Sequence, residues 1–172
     1  GIKGKFRVRE LVPFSSRDGS TSPRTRVREN GYLLWVDPSK AYFSMRLSTQ
    51  RADTLKSSIK LRTKLGRALV VADPYAGVGP SMASLLREPE LIAGYYAGDI
   101  NPDAVELLKL NIEYFSSRRR DTHGNLSEPL EPSKIACCDA KDWPKSTDNH
   151  GKVDLLLVNL PHLSVEHFPS LL

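Results

Sequence analysis

Residues 69–80, which read LVVADPYAGVGP, constrain the fold of this chain more than any other segment. A short β-branched run ends at an acid, Asp73, and passes directly into a turn that contains Gly77 and Gly79. Valine runs favour buried strands, and the glycines permit a tight turn that a ligand can approach closely, before residues 81–87 continue as a helix. The segment therefore predicts a strand, a ligand-binding turn and a helix.

A second acid favours a nucleoside as the ligand of this turn. Asp99 ends the next apolar stretch, roughly two dozen residues further on, where open α/β sheets place the carboxylate that binds a ribose. The turn lacks the lysine or third glycine that a phosphate cradle needs, because Gly79 is followed by Pro-Ser-Met. Asp73 would repel a phosphate and attract a cation, besides capping the following turn. These features are compatible with S-adenosylmethionine, whose sulfonium is cationic and which carries no phosphate, and by themselves they predict a nucleoside-binding domain.

Strands and helices alternate from this segment onwards. Apolar runs predict strands at residues 69–72, 92–98, 134–138 and 153–158. A helix at residues 102–115 follows the second strand, with Asn101 as its cap and Pro102 in its first turn. This alternation predicts an α/β fold with a Rossmann-like, partial parallel sheet.

The first part of the chain has a different pattern. Short β-prone runs at residues 6–12 and 32–36 flank a polar loop at residues 15–26. Residues 47–65 have few apolar positions and many lysines and arginines, which predicts a surface helix. We therefore predict a small β-rich lead-in subdomain, residues 1–45, followed by a nucleoside-binding, Rossmann-like domain, residues 46–172, which the resemblance described below identifies as the S-adenosylmethionine-binding domain.

Polar residues also end the later predicted strands. Asn159 can offer both a carbonyl and an amide to a planar base, and Pro161 stiffens the backbone behind it, although both residue types also end strands for local reasons. Asp139 ends the third predicted strand, where it either faces the adenine amine of a cofactor or caps the residues from Ala140 onwards.

Charge and cysteine content limit the partners and the compartment that can be expected for this chain. The chain has 25 Lys and Arg against 20 Asp and Glu, a mild bias towards polyanions that supports RNA weakly. A solvated helix end is the favoured interpretation of the arginines at 118–120, ahead of an RNA contact. Adjacent Cys137 and Cys138 disfavour an ordinary disulfide and a zinc site, which predicts a reducing, intracellular compartment: the cytoplasm first, then the nucleus or mitochondrion. No run is apolar enough to predict a membrane span.

Six ordered motifs resemble one family, the catalytic part of the archaeal and eukaryotic tRNA (guanine-N1)-methyltransferases, also called Met-10-like, which act on the guanosine 3′ to the anticodon. The motifs are GKFRVRE (4–10), RENGYLLWVD (28–37), YFSMRLSTQR (42–51), DPYAGVGP (73–80), DINPDAVELLKLNI (99–112) and VNLP (158–161). The resemblance implies a class I methyltransferase fold, S-adenosylmethionine as methyl donor and tRNA as substrate.

The resemblance also implies site residues. Methyl transfer to guanine N1 requires a base for the N1 proton and a cation for the charge on O6. The family's arginine falls on Arg7, Asn159 and Pro161 hold the guanine, and the position of the general base is Gln50. The positions that the motifs assign to the cofactor are Tyr42, Phe43, Ser44, Arg46, Asp73, Ala76, Gly77, Val78, Gly79, Asp99, Ile100, Asn101, Asp139, Ala140 and Asn159.

Gln50 departs from the family, which has glutamate there. A glutamine cannot accept the N1 proton at neutral pH, a loss of roughly two to four orders of magnitude in rate unless Asp53 or Glu10 substitutes. Met45 is a smaller departure, because the family usually has proline at this position. One alternative is therefore a catalytically impaired, RNA-associated scaffold.

Two other transferases are disfavoured by single residues. The related aminocarboxypropyl transferases of wybutosine formation do not keep the arginine that stands here as Arg46. An adenine-amine methyltransferase would need an aromatic residue where His162 stands.

The resemblance further implies a tRNA-recognising domain before residue 1 and additional strands after the VNLP strand. The apolar strand at residues 155–158 would then be a sheet edge, an association liability. We expect this edge to pair with a missing companion segment or with a second copy.

Overall fold

The computed structural model describes residues 21–143 and 151–159 without a gap, together with residues 2–4, 6, 8–12, 17, 19, 167, 169 and 171. The strands are β1 (Ile2–Lys3), β2 (Val8–Arg9), β3 (Thr25–Glu29), β4 (Tyr32–Val36), β5 (Leu69–Asp73), β6 (Ile92–Asp99), β7 (Ser133–Cys137) and β8 (Leu155–Leu156). The α-helices are α1 (Ser48–Leu65), α2 (Pro80–Arg87) and α3 (Pro102–Ser116), and short 3-10 helices occupy Met45–Leu47 and Ala140–Asp142.

The centre of the fold is a four-stranded parallel sheet in the order β7-β6-β5-β8. Leu69 and Val71 of β5 are fully buried, as the β-branched run predicts for an inner strand. Helices α2 and α3 connect successive parallel strands, and α3 packs against β6 and β7. The predicted Rossmann-like α/β fold is confirmed, and its four strands lie where the apolar runs place them, to within two residues at each end.

Helix ends follow the local chemistry of the sequence. The Asn101 side chain accepts a hydrogen bond from the Asp103 backbone N–H at 3.0 Å, and Pro102 occupies the first turn of α3, as predicted. Helix α1 ends at Gly66, whose φ of 67° is the left-handed conformation of a glycine cap.

The antiparallel β3–β4 hairpin agrees with the predicted β-rich lead-in, with one correction: β3 begins at Thr25, inside the segment interpreted as a loop. Three arginines near β3 obscured its alternation, yet Asn30-Gly31 supplies the left-handed φ values, 46° and 83°, of a two-residue hairpin turn. The inner face of β4 (Tyr32, Leu34 and Val36) is buried in the same core as the parallel sheet. The hairpin therefore belongs to the core; the boundary between residues 45 and 46 stays a prediction.

Asn111 of α3 joins the hairpin to the ligand-binding turn. This fully buried side chain accepts a hydrogen bond from the Trp35 N–H at 2.8 Å and donates to the Trp35 carbonyl at 3.0 Å. It also donates to the Val78 carbonyl at 2.8 Å. One amide thus satisfies three backbone groups on two segments that lie far apart in sequence.

Strand β8 lies at one edge of the sheet. It pairs with β5 through Val71 and Ala72, and within the described residues no strand pairs with its other side. Leu155 and Leu156 are half-buried. Association through this edge stays a prediction. Among the helices described, none is both long and apolar enough to cross a membrane.

Candidate functional site

A cavity of about 270 Å³ lies where the carboxyl ends of β5 and β6 meet the first turns of α2 and α3. Its wall comes from the loop after β5, the end of β6, and the segment before α1. The lining residues are Phe6, Tyr42, Phe43, Ser44, Leu47, Arg51, Tyr75, Ala76, Gly77, Val78, Pro80, Asp99, Ile100, Asn101, Ala104 and Asn159. This is the position at which α/β sheets bind ligands.

Most of the residues that the sequence assigns to the cofactor are brought together around this cavity. They are Tyr42, Phe43, Ser44, Ala76, Gly77, Val78, Asp99, Ile100, Asn101 and Asn159. The other assigned residues, Arg46, Asp73, Gly79, Asp139 and Ala140, do not line it. Arg7 and Pro161 lie outside the described residues. The role of each of these residues stays a prediction.

The end of β6 shapes the glycine loop. The Asp99 carboxylate accepts hydrogen bonds from the Gly77 N–H and the Asn101 N–H, both at 2.9 Å. The Gly98 carbonyl accepts another from the Ala76 N–H at 2.8 Å. Burial raises the pKa of Asp99, while these backbone donors oppose the rise. The loop is therefore held open on the cavity side by contacts with the neighbouring strand.

The two loop glycines serve different needs. Gly77 has a φ of 56°, and a β-carbon placed on it would meet only the Tyr42 carbonyl oxygen, at 3.9 Å, so its left-handed backbone is the constraint. Gly79 has a φ of 86°, and a β-carbon there would lie 2.6 Å from Leu108 Cδ1. Gly79 therefore allows α2 to begin tightly against α3.

Asp73 is a buried acid beneath the loop. It is 2% exposed and accepts a hydrogen bond from the Tyr75 N–H at 3.2 Å. Burial, with a smaller contribution from the charge of Asp99, raises its pKa to about 7. A cation in the adjacent cavity would favour the ionised form of this group.

Asp73→Asn should raise the free energy of unfolding at pH 8 but not at pH 4. A carboxyl whose folded-state pKa is raised contributes stability that is present below the unfolded pKa, near 4, and is lost as the pH rises to about 7. The full shift corresponds to roughly 4 kcal/mol, and the asparagine oxygen can still accept from Tyr75. Urea unfolding of the apoprotein from pH 4 to 8 measures the difference, with exposed Asp53→Asn as the control. Parallel profiles for Asp73→Asn and the unaltered chain would contradict the assignment.

A buried ion pair closes the other side of the cavity. The Arg51 guanidinium donates to both Glu29 oxygens, with Nε–Oε1 at 2.7 Å and Nη2–Oε2 at 2.5 Å. Arg51 Nη2 also donates to the Ser44 carbonyl at 2.9 Å, and the guanidinium lies 5.7 Å from the centre of the Phe43 ring. The pair thereby holds residues 43–44 of the cavity wall against the hairpin.

Tyr32 extends this pair towards the start of α2. Its hydroxyl donates to Glu29 Oε1 at 3.2 Å and lies 3.4 Å from the Pro80 carbonyl. Burial and the neighbouring Glu29 raise the pKa of Tyr32 to about 12, so it stays protonated. Neither Glu29 nor Arg51 is among the site residues predicted from the sequence. The signal was that Glu29 alternates with Val27 on one face of β3, but β3 was not predicted, so the burial of this carboxylate and its need for a cationic partner could not be inferred.

Glu29→Gln should destabilise the fold by about 3–5 kcal/mol, because it leaves the Arg51 charge buried without its partner. Urea unfolding at pH 7 measures the loss. The double variant Glu29→Leu, Arg51→Met removes both charges and should recover much of it. A loss below about 1 kcal/mol for Glu29→Gln would show that solvent reaches Arg51.

Gln50 lies beside the cavity rather than in its wall. It is exposed in the first turn of α1, between the lining residues Leu47 and Arg51. Asp53, one proposed substitute base, pairs with Lys56 at 3.2 Å on the exposed side of α1 and does not line the cavity. The other, Glu10, is exposed and does not line it either.

Tyr75 connects the loop to more distant parts of the chain. Its hydroxyl lies 2.7 Å from Nδ1 of His167, and burial together with the charge of Asp139 raises its pKa to about 12. Asp139 accepts a hydrogen bond from the Lys141 N–H at 3.0 Å and so caps the short helix Ala140–Asp142, one of the two roles that the sequence allows. Tyr75 is a cavity residue that the sequence analysis did not assign.

The charge around the cavity suits a cationic nucleoside. Its lining residues include the Asp99 carboxylate, four aromatic side chains (Phe6, Tyr42, Phe43 and Tyr75) and no lysine. The arginine among them, Arg51, is neutralised by Glu29. A carboxylate for ribose hydroxyls, aromatic faces for a cation and an open glycine backbone fit S-adenosylmethionine, whereas a phosphate would find no free cation among the lining residues.

Known proteins resemble this chain along most of its length. The sequence profile of the TRM5/TYW2 methyltransferase domain matches residues 25–118. The tRNA (guanine(37)-N(1))-methyltransferase Trm5b of Methanocaldococcus jannaschii is 44% identical over 112 residues, which cover 65% of this chain and 29% of that protein. Among solved structures, the complex of aTrm5 with tRNALeu superposes with a TM-score of 0.68 at 33% identity, over 99% of this chain and 41% of that one.

A second solved structure shares the fold with a nucleoside bound. M. jannaschii Trm5 in complex with adenosine has a TM-score of 0.59 at 31% identity, over 88% of this chain and 38% of that one. This chain therefore spans less than a third of its curated relative and about two fifths of these solved chains.

Proposed function

Because this chain belongs to the TRM5/TYW2 methyltransferase-domain family, we propose that it is the S-adenosylmethionine-binding part of an enzyme that methylates N1 of the guanosine 3′ to the anticodon in tRNA. The observation that supports this proposal most is the cavity itself. Gly77, Asp99 and Asn159, from three separate strand ends, line one space beside the first turns of α2 and α3.

The proposed site residues divide into those that bind the cofactor and those that contact the target guanine. S-adenosylmethionine, when bound, supplies an electrophilic methyl group. Asp99 keeps acceptor capacity beyond its hydrogen bonds to backbone N–H groups and would bind ribose hydroxyls. Asn159 offers an amide and a carbonyl to the guanine edge. Arg7 would stabilise the negative charge on O6, as the motif that contains it implies.

Removal of the N1 proton is the step for which this chain lacks a suitable base. Gln50 can hydrogen-bond to guanine but cannot take its proton, and Asp53 is already paired with Lys56. We therefore propose that the chain binds its ligands well and turns over slowly. A second candidate function, an RNA-associated scaffold without turnover, is favoured by this same substitution. Arg46, retained here, favours methyl transfer over aminocarboxypropyl transfer.

The first test measures S-adenosylmethionine binding by calorimetry and transfer of labelled methyl groups to an unmodified tRNA transcript. Asp99→Ala removes the acceptor of the Gly77 and Asn101 amides and should weaken cofactor binding at least tenfold. Asp103→Ala is the matched control, since that acid pairs with exposed Lys40 at 3.2 Å and does not line the cavity. Equal binding by Asp99→Ala and Asp103→Ala would remove the proposed cofactor site. Cofactor binding without methyl transfer, even by Gln50→Glu, would favour the scaffold.

A further inference from the structure

The outer face of the β3–β4 hairpin presents arginines at alternate positions. Arg24, Arg26 and Arg28 are all exposed, while Val27 and Glu29 point to the core. Because successive side chains of a strand alternate between faces, these arginines form one row with a spacing of roughly 6.7 Å. Such a spacing is comparable to that of successive phosphates along a nucleic-acid strand.

Trp35 holds two members of this row in place. It lies opposite Arg26 in the hairpin register, on the outer face of β4. The guanidinium carbons of Arg24 and Arg26 are 5.1 and 5.2 Å from the centre of its ring. A cation–π contact of this kind restrains each guanidinium and leaves its N–H groups available for a ligand.

Arg28 continues the row into a second cavity, of about 480 Å³, at the C-terminal ends of α2 and α3. The other arginines that line this cavity are Arg87, Arg118 and Arg120. The Arg118 guanidinium lies 4.0 Å from the centre of the Tyr114 ring, and Arg87 lies 5.5 Å from that of Tyr32. No lysine and no carboxylate line it. We call the row and this cavity together the arginine face (Arg24, Arg26, Arg28, Arg87, Arg118 and Arg120).

The charges of the arginine face are not compensated within the described part of the chain. None of its six arginines forms an ion pair there, whereas Arg51 and Arg67 each pair with a carboxylate. Arg87 and Arg118 have a local structural role, since they donate to the Asn30 and Tyr114 carbonyls. Among the described residues, the side chains of the other four (Arg24, Arg26, Arg28 and Arg120) have no such partner, and concentrated like charges favour an anionic ligand.

We propose that the arginine face binds backbone phosphates of an RNA strand. A guanidinium group donates two parallel hydrogen bonds to a phosphate, and arginine beside an aromatic ring is common in nucleic-acid recognition. The inference rests on the proposed function, which supplies tRNA as the RNA. It adds a second contact region: α3 begins at the first cavity and ends beside Arg118, so its 15 residues separate the two by about 22 Å. The phosphates bound here therefore belong to nucleotides other than the methylated one.

The test compares two triple variants of equal charge change in the whole chain. Arg24→Gln, Arg26→Gln, Arg28→Gln alters the row, and Lys56→Gln, Lys60→Gln, Lys64→Gln alters exposed positions of α1. Binding of an unmodified tRNA transcript is measured by fluorescence anisotropy between 50 and about 300 mM salt. The arginine variant should bind at least tenfold more weakly and lower the slope of log K against log salt by about 2. The lysine variant should show a much smaller loss of affinity and a much smaller change of the salt slope than the arginine variant.

Two further measurements separate this inference from the proposed function. S-adenosylmethionine binding should be the same in both variants, because none of the six altered residues lines the first cavity. Arg24→Lys, Arg26→Lys, Arg28→Lys should recover most of the salt slope. Equal losses of tRNA affinity in the two glutamine variants, or no loss in either, would overturn the proposal that the arginine face binds RNA. Neither result would bear on the proposed cofactor site. Absence of tRNA binding by the unaltered chain overturns it too, whereas absence of cofactor binding alone counts against the proposed enzyme.

Discussion

Gln50→Glu should raise the rate of methyl transfer to guanosine N1 by about two to four orders of magnitude. A carboxylate at this position can accept the N1 proton that an amide cannot. The replacement is close in shape, and Gln50 is exposed in the first turn of α1, where a negative charge interacts favourably with the helix dipole. The fold should therefore tolerate the change.

Single-turnover transfer of labelled methyl groups, followed from pH 5 to 9, is the measurement. The rate of Gln50→Glu should rise with pH and level off once the new carboxyl is ionised, a profile that the unaltered chain should lack. Thr49→Glu is the matched control, because it adds the same charge to the adjacent exposed position. A similar acceleration in Thr49→Glu would attribute the effect to general electrostatics instead of to a base.

Gly98→Ala should destabilise the protein by about 3 kcal/mol and weaken S-adenosylmethionine binding. A β-carbon on Gly98 would clash with the Ala136 carbonyl oxygen of β7 and lie 2.5 Å from Trp143 Cζ3. The carbonyl belongs to the β6–β7 pairing and the indole is fully buried, so neither can yield cheaply. The Gly98 carbonyl also holds the Ala76 N–H, so any shift of β6 reaches the glycine loop.

Urea unfolding and cofactor titration test this prediction together. Gly124→Ala is the control, because a β-carbon there meets nothing within 4 Å and only its φ of 85° is strained. That control should cost about 1 kcal/mol and leave cofactor affinity unchanged. If Gly98→Ala unfolds at the same urea concentration as Gly124→Ala, the contact between β6 and Trp143 is looser than described.

Local sequence chemistry predicted those parts of the fold that depend on neighbours in the chain. The β-branched run at β5 and the Asn101-Pro102 start of α3 are short-range signals, and both are confirmed. The same signals placed Gly77, Asp99 and Asn159 at strand ends, and the parallel sheet then brought them around one cavity. Strand β3 was missed because arginines on its outer face interrupt the apolar pattern, although Asn30-Gly31 marks the turn.

Contacts between segments that are distant in sequence could not be predicted from such short-range signals. The Glu29–Arg51 pair joins a strand to a helix 22 positions later, and each residue alone resembles an ordinary surface charge. The position of Gln50 beside the cavity rather than in its wall also depends on how α1 begins, which the motif does not specify. Burial, and not residue type, distinguishes these positions from their neighbours.

The Asn111 side chain has a consequence for self-association. In an antiparallel pair, alternate residues turn their N–H and carbonyl away from the partner strand, where a foreign strand could add. At Trp35 both the N–H and the carbonyl are hydrogen-bonded to the Asn111 side chain, so they are not available to a third strand. Asn111 thus blocks the unpaired edge of β4 at this position, which protects the hairpin there from β-strand addition by other molecules and from fibril growth.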